Sequence, residues 1–480
     1  MTALNAAKQG LAKKIEAQQE KFWKISDAIW SYAELGFEEV KSSALLARTL
    51  EEAGFQVERG VAGMPTAFVA TWSHGTGKPV IGFLGEFDAL PMLSQKAGCP
   101  TQEPLVPGAP GHGCSHNTMC TMQALAVIGL QKIMRREGLS GTLRVYGSPA
   151  EEILASRPTM VRAGLFRDVD VVLDCHGDSY FRVQYGMEGT AMYSFIVTFF
   201  GKTAHAGSFP WAGRSAADAV ELMHAGTERM REHLPTSQRT HWVTLEGGEA
   251  PNVVPDRAST WYYVRDLDEN VESNFRWVMD CAQGATLMTQ TRYEVKVLGA
   301  IHQRFGNKAL AELIFKNIEA VGKPPYTAEE EAYARALQHA AGYPVKGMDY
   351  KLQLLSPDQE PLRGGSSDVG DVTLVVPTVT IRFPTRVPGS PSHHWTVVST
   401  GATSIAHKGI TAGAKAAALS AYDLLTRPAE LAKIRAEFES LAKERPYKSF
   451  LPEGVEPPLD QYTALMKKYR SAMEPFYLKP

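Results

Sequence analysis

Apolar residues recur at helical spacing from Phe22 through Ile25 to Ile29, and a second amphipathic stretch, 42–53, ends at Gly54. Both patterns predict helices that lay one face on a sheet. Elsewhere the rhythm changes to short, apolar, branched runs at 79–84, 141–146, 169–173 and 378–383. These predict buried strands. The first three lead straight into polar motifs, Glu86-Phe87-Asp88, Pro149-Ala150-Glu151-Glu152 and Cys175-His176-Gly177. Polar residues just past the carboxyl ends of buried strands are the expected layout of a working α/β sheet.

Between about 186 and 303 the pattern reads strand (191–200), helix (215–233), two strands, helix (270–289) and strand (293–298). That order is a split β-α-β-β-α-β unit, long enough to form a small domain inserted into a larger one. Helical patterning then resumes at 307–337 and again at 410–425, and beyond Arg427 charged helix alternates with Pro-rich breaks. The expected division is 1–186 and 304–426 for a catalytic domain in two parts, 187–303 for the insertion, and 427–480 for a helical, Pro-rich extension. No internal repeat is present, which sets solenoid architectures aside.

With 480 residues and 44% hydrophobic composition, the chain has material for two packed domains. Lys and Arg number 50 against 52 Asp and Glu, so no broad field favours a phosphate backbone or anionic lipid. Nucleic acid is therefore not an expected partner. No apolar run reaches the roughly 18 residues that a membrane helix requires, and the amino-terminal stretch lacks the pattern of a secretion signal. Five scattered cysteines argue against a disulfide framework and for a reducing, cytoplasmic setting.

The candidate chemistry lies in Cys114 and His116, the adjacent acids Glu151 and Glu152, and the isolated His176 and His393. Thiolate, imidazole and carboxylate together bind divalent transition metals. A further carboxylate can accept the proton of a metal-activated water. Cys114 and His116 follow a Gly-rich turn, 107–113, just before a helix expected near Asn117, whose amino terminus favours a thiolate. His112 reads as a ligand, a supporting residue or part of the turn. The acid pair reads as ligand plus base or as a solvated turn, His176 as a ligand or a strand cap, and His393 competes with His394. Asp88 is placed to orient a ligand imidazole, as metal-bound histidines require. Asp368 reads as a helix cap. A thiol nucleophile built from Cys114 and His116 is a poorer alternative, because so short a spacing suits a metal better.

The motifs Cys114-x-His116, Pro149-Ala150-Glu151-Glu152, 170–176, Thr203-Ala204-His205-Ala206, Pro251-Asn252-Val253-Val254, 367–372 and His393-x-Trp395 resemble the dinuclear-metal aminoacylase and carboxypeptidase family. The resemblance is to its amidohydrolase branch, that of the aminobenzoyl-glutamate and indole-acetyl-amino-acid hydrolases, over about residues 20 to 425. It implies an α/β fold with a mixed-sheet, metallopeptidase-like catalytic domain and an inserted ferredoxin-like lid and dimerisation domain. It further implies two divalent ions, Mn or Zn, bridged by Cys114 and completed by His116, Glu152, His176 and His393, with Glu151 as general base. His205 would polarise the scissile carbonyl, often in the partner subunit's site. Its alternative is a hydrogen-bonded loop histidine.

Asn252 and Arg265 are the candidate substrate-binding residues. Arg265 can grip a carboxylate through paired hydrogen bonds, or pair with Asp266 or Asp268 at the surface. The chain departs from the family pattern where 153–157 replaces a glycine run and Ser115 a glycine. Those bulkier residues should reshape the space beside the metals. The expected function is hydrolysis of the amide of an N-acyl or N-aroyl amino acid by a homodimer or hetero-oligomer. The alternatives are a hydrolytic deaminase on the same centre and a non-catalytic subunit.

Overall fold

The computed structural model describes residues 5–357 and 365–480. Its larger sheet is mixed and eight-stranded, in the order Gln56–Arg59, Phe68–His74, Gly141–Ser148, Val80–Glu86, Val171–Asp178, Thr378–Pro384, Arg182–Gln184 and Gln353–Leu355. The central four strands from Gly141–Ser148 to Thr378–Pro384 run parallel. All four expected strand runs are therefore neighbours at the middle of this sheet, where both faces are covered. Their branched residues Ile81, Val145, Val171 and Ile381 are fully buried for that reason.

The helices Gln19–Tyr32, His116–Glu137 and Ser404–Thr426 pack together against the sheet. His116–Glu137 is buried along nearly its whole length and lies very close to the strand Val80–Glu86. A Cβ at Gly85 would meet the Cys120 Cα at 2.4 Å, so this approach requires glycine. The contact brings the start of the helix beside the end of the strand, where Glu86 and Asp88 follow.

The second sheet is antiparallel, in the order Arg292–Ile301, Ala191–Phe200, Arg257–Asp266 and Arg239–Glu246. With the helices Ala216–Met230 and Asp268–Thr289 it follows the β-α-β-β-α-β order read from the sequence. Both helices pack on the strands through an apolar cluster that includes Phe195, Tyr262, Val264, Met223 and Val278. Strand period fixes the rest. Thr260, Tyr262 and Val264 are buried, while Trp261, Tyr263 and Arg265 alternate with them on the opposite face. The chain leaves for this unit and returns through the paired strands Gly186–Glu188 and Arg304–Gly306. Glu188 ties that crossing together by accepting from Arg304 at 2.6 Å and from Arg382.

The helical stretch at 307–337 is two helices, Lys308–Val321 and Ala328–Ala340, separated by Gly322-Lys323-Pro324-Pro325. The consecutive prolines stop the first helix, and a Thr327–Glu330 capping box starts the second. Glu151 and Glu152 lie just past the strand Gly141–Ser148, in the short turn Glu151–Ile153.

Beyond the helix Pro428–Glu444 the chain crosses both units. Tyr447 donates to Asp371 at 2.8 Å, the Lys448 carbonyl lies 2.8 Å from His302 Nε2, and Phe450 stacks on the His302 ring at 3.8 Å. The helix Thr463–Met473 then runs beside the loop between the helices Gln19–Tyr32 and Val40–Glu52, with Arg470 paired to Glu34 at 2.9 Å. No helix among the described residues is long and apolar enough to cross a membrane.

Candidate metal centre

Three turns with unusual backbone present the candidate ligands. Ser115, Ala150 and His393 have φ of 68, 54 and 60°, a region that costs a residue with a side chain. Each is held by neighbours. The Ser115 hydroxyl accepts from Arg386 Nε at 2.9 Å, the Ala150 amide donates to Glu39 at 2.8 Å, and the His393 amide donates to the Gly113 carbonyl at 2.8 Å. The positive φ at Ser115 is the physical reason a glycine would suit that position. Its side chain in turn demands room, since a Cβ at Gly177 would lie 2.6 Å from that of Ser115.

These turns bring Cys114, His116, Glu152, His176 and His393 into one cluster made of two overlapping triads. Donor atoms of Cys114, His116 and His176 lie within 4.8 Å of one another, and so do those of Cys114, Glu152 and His393. Cys114 belongs to both. Its sulfur is 3.5 Å from His176 Nε2, while Glu152 is 3.2 Å from His393 Nε2 and 3.8 Å from His116 Nε2. Both imidazoles that pair with Cys114 in the first triad have Nδ1 engaged. His116 Nδ1 is 2.9 Å from Asp88 and His176 Nδ1 is 2.8 Å from the Gly177 carbonyl. Each therefore turns Nε2 inward, the orientation a metal ligand needs. The other Asp88 oxygen accepts the Glu152 amide at 3.0 Å, so one carboxylate braces two candidate ligands.

A cation fits this donor set. His116 Nε2, Glu152 Oε1 and Glu86 Oε2 are buried side-chain atoms with no hydrogen-bond partner. Unpaired buried polar atoms are costly, and three around one point call for a positive charge. The ionisation tendencies agree. Despite burial, His116 and His176 hold the Cys114 thiol well below its ordinary range. Burial is likewise outweighed at His116, which Cys114 and Glu86 push well upward, and at His393, which bonds to Cys114 and Glu152 push up to about 11.

Glu151 lies 3.9 Å from His116 Nε2 and lines the cavity. Burial, then the charges of Glu86 and Asp368, raise its carboxyl well above the usual range. Arg265 lines the same cavity and donates to Ser366 at 3.0 Å. Asp266 and Asp268, its alternative partners, are engaged by Asn274 and His302. His205 and Asn252 are not brought to this cavity within one chain. They lie together, exposed, in the smaller unit, where Val253 bridges His205 and the Ala206 amide donates to the Asn252 carbonyl.

His112 is buried with Nε2 3.1 Å from the Ile29 carbonyl, and burial pushes it down to about 3. It packs behind the turn. His394 caps the helix Trp395–Thr400 by accepting from the Thr396 amide. Of the residues that replace the glycine run, Leu154 faces the cavity, whereas Ile153 joins the core and Arg157 is fully buried.

Sequence reasoning missed what Arg157 does. It lies 2.5 Å from both Glu86 and Asp368, and Asp368 also accepts from Ser156 and the Arg157 amide. Asp368 thus caps the helix Ser156–Arg162 rather than the one it precedes. Arg386 was missed too. It bonds to the Cys114 carbonyl at 2.5 Å and to Ser392 at 2.6 Å, clamping the two ligand turns together. Runs of adjacent polar residues are visible in sequence, but lone arginines are not marked by any spacing.

The model for the M20 peptidase dimerisation domain matches residues 191–279. The chain is 36% identical over 472 residues to a p-aminobenzoyl-glutamate hydrolase subunit of Escherichia coli (strain K12), covering 92% of this chain and 97% of that protein. It is 27% identical to the Xaa-Arg dipeptidase of Mus musculus, covering 92% and 94%. In fold it is similar to a Bacillus subtilis dinuclear metal binding peptidase from the M20 family, with a TM-score of 0.54 at 18% identity over 86% of this chain and 99% of that one. This chain therefore belongs to the M20 family of metal-dependent peptidases and amidohydrolases.

Proposed function

We propose that this protein hydrolyses the amide of an N-acyl or N-aroyl amino acid, with Glu151 as general base. The two donor triads that share Cys114 carry the reading. In it, Cys114, His116 and His176 would hold one divalent ion, and Cys114, Glu152 and His393 would hold the other, Mn or Zn in each case. Bound there, the ions would acidify a water and polarise the scissile carbonyl.

Glu151 takes the proton as the water oxygen bonds to the carbonyl carbon, and returns it to the nitrogen as the C–N bond breaks. A buried carboxyl with a raised affinity for protons suits both halves of that transfer. Asp88 keeps His116 and the Glu152 backbone in register. Arg265 in the cavity lining favours a substrate that carries a carboxylate. The p-aminobenzoyl-glutamate for which the Escherichia coli relative is named is such an amide.

The segment 187–303 acts in this reading as lid and dimerisation unit. His205 of the partner subunit would donate to the carbonyl oxygen, with Asn252 beside it. Phe209, Trp211 and Val253, exposed near His205, suit burial against a second chain. A reducing cytoplasm suits the thiolate ligand, and all five cysteines are free.

The test is a panel of N-acyl amino acids incubated with protein reconstituted in Mn or Zn and read by mass spectrometry. The expected products are a carboxylic acid and an amino acid. Ammonia as the nitrogen product would replace this reading with the deaminase, and no cleavage with either metal would support a non-catalytic subunit.

A further inference from the structure

Tyr462, from the segment that follows the helix Pro428–Glu444, lines the cavity of about 660 Å³ beside Leu154, Trp261 and Tyr263. It is partly buried against the same apolar cluster as Trp261. Trp261 and Tyr263 meet edge to face at 5.6 Å, and the Trp261 indole N–H is satisfied by Ser194 at 3.0 Å. The two rings are thus fixed on the strand Arg257–Asp266, and Tyr462 adds a third aromatic side chain from a separate part of the chain.

The segment that carries Tyr462 is anchored on both sides of it. Two residues before, Asp460 pairs with Lys296 of the smaller unit at 3.2 Å. One residue after, Thr463 donates to Glu38 beside the larger sheet at 2.6 Å. Further back, Arg162 donates to the Val455 carbonyl at 2.6 Å and Tyr193 to the Phe450 carbonyl at 3.3 Å. Anchors to both units position Tyr462 where the two meet. A residue serving only to attach the segment would not need to face the cavity.

The lining divides by chemistry. Guanidinium groups suit a carboxylate, whereas aromatic and aliphatic side chains gain by covering a flat apolar group. We infer that Tyr462 is a substrate-contacting specificity residue, whose ring joins Trp261 and Tyr263 in receiving a planar aromatic acyl group. The inference rests on the proposed amide hydrolysis and adds the residue that selects the acyl side.

The test compares kcat and KM of the metal-loaded full chain for N-benzoyl-glutamate and N-acetyl-glutamate in wild type, Tyr462→Ala and Tyr462→Phe. Loss of the ring should raise KM for the benzoyl substrate about tenfold and change the acetyl substrate by less than about twofold. Tyr462→Phe, which keeps the ring, should retain the wild-type preference. Thermal melts check folding, and Tyr462→Leu replaces the alanine variant if that one unfolds. Equal losses on both substrates, or no change on benzoyl-glutamate, would overturn the inference and leave Tyr462 as an anchor. Wild-type protein that cleaves neither substrate would overturn the hydrolase reading, and the inference with it.

Discussion

His116 stands among several carboxylates and a thiolate, with Nδ1 engaged by Asp88 and Nε2 facing Cys114, Glu86, Glu151 and Glu152. Such crowding of anions in a buried site is destabilising without positive charge. Glu151 differs from Glu152 in its place there, because Glu152 lies 3.2 Å from His393 whereas Glu151 reaches only His116, at 3.9 Å, and burial with the charges of Glu86 and Asp368 still raises its carboxyl. Glu151→Gln is therefore expected to keep the metal content of wild type while turnover falls by about a thousandfold or more, as loss of a general base predicts. Elemental analysis alongside steady-state kinetics checks both halves. Arg157 plays a structural part in the same neighbourhood. Arg157→Met strands the buried Glu86 and Asp368, so denaturant unfolding should show a loss of about 3–5 kcal/mol. Combining it with Asp368→Asn should recover part of that loss. Cys114, His116, Glu151 and Glu152 stand out as candidates in sequence because they lie close together in two short motifs. The ion pairs of Arg157 with Glu86 and Asp368 span 71 and 211 positions, which no local pattern reveals.

Among the elements, hydrophobic period was enough to locate the buried central strands and the order of the smaller unit. Both depend on local alternation. The short strands Arg182–Gln184 and Gln353–Leu355 escaped notice, since three residues carry too little periodicity and their pairing joins distant segments. The crossing at His302 is likewise invisible in sequence. His302 Nδ1 lies 2.8 Å from Asp268, Nε2 meets the Lys448 carbonyl, and its amide donates to Asp371 at 3.1 Å. Burial opposes its charge, but the bond to Asp268 and the charge of Asp371 outweigh it and raise its affinity for protons above the ordinary 6.5. A group so raised contributes stability that is fully present below about 6.5 and lost as pH rises through the folded value. At about pH 6, His302→Gln should cost about 1.5–3 kcal/mol, the worth of a buried charged hydrogen bond. The deficit should shrink at about pH 9. Denaturant titrations at the two pH values measure it, and a deficit independent of pH would exclude the charge.

At the scale of the molecule, the larger sheet holds the donor cluster at the ends of its parallel strands, and the antiparallel unit faces it with Trp261, Tyr263 and Arg265. The extension closes the arrangement from outside. Its composition suggested only alternating helix and breaks, because contacts such as Asp460 with Lys296 depend on the finished fold. In the proposed centre one thiolate serves two ions, so metal content is the decisive readout. Mass-spectrometric metal analysis of wild type and Cys114→Ala, with turnover measured on the same samples, should find two ions per chain in wild type and the loss of both metal and rate in the variant. A Cys114→Ala protein that keeps two ions and the full rate would contradict it.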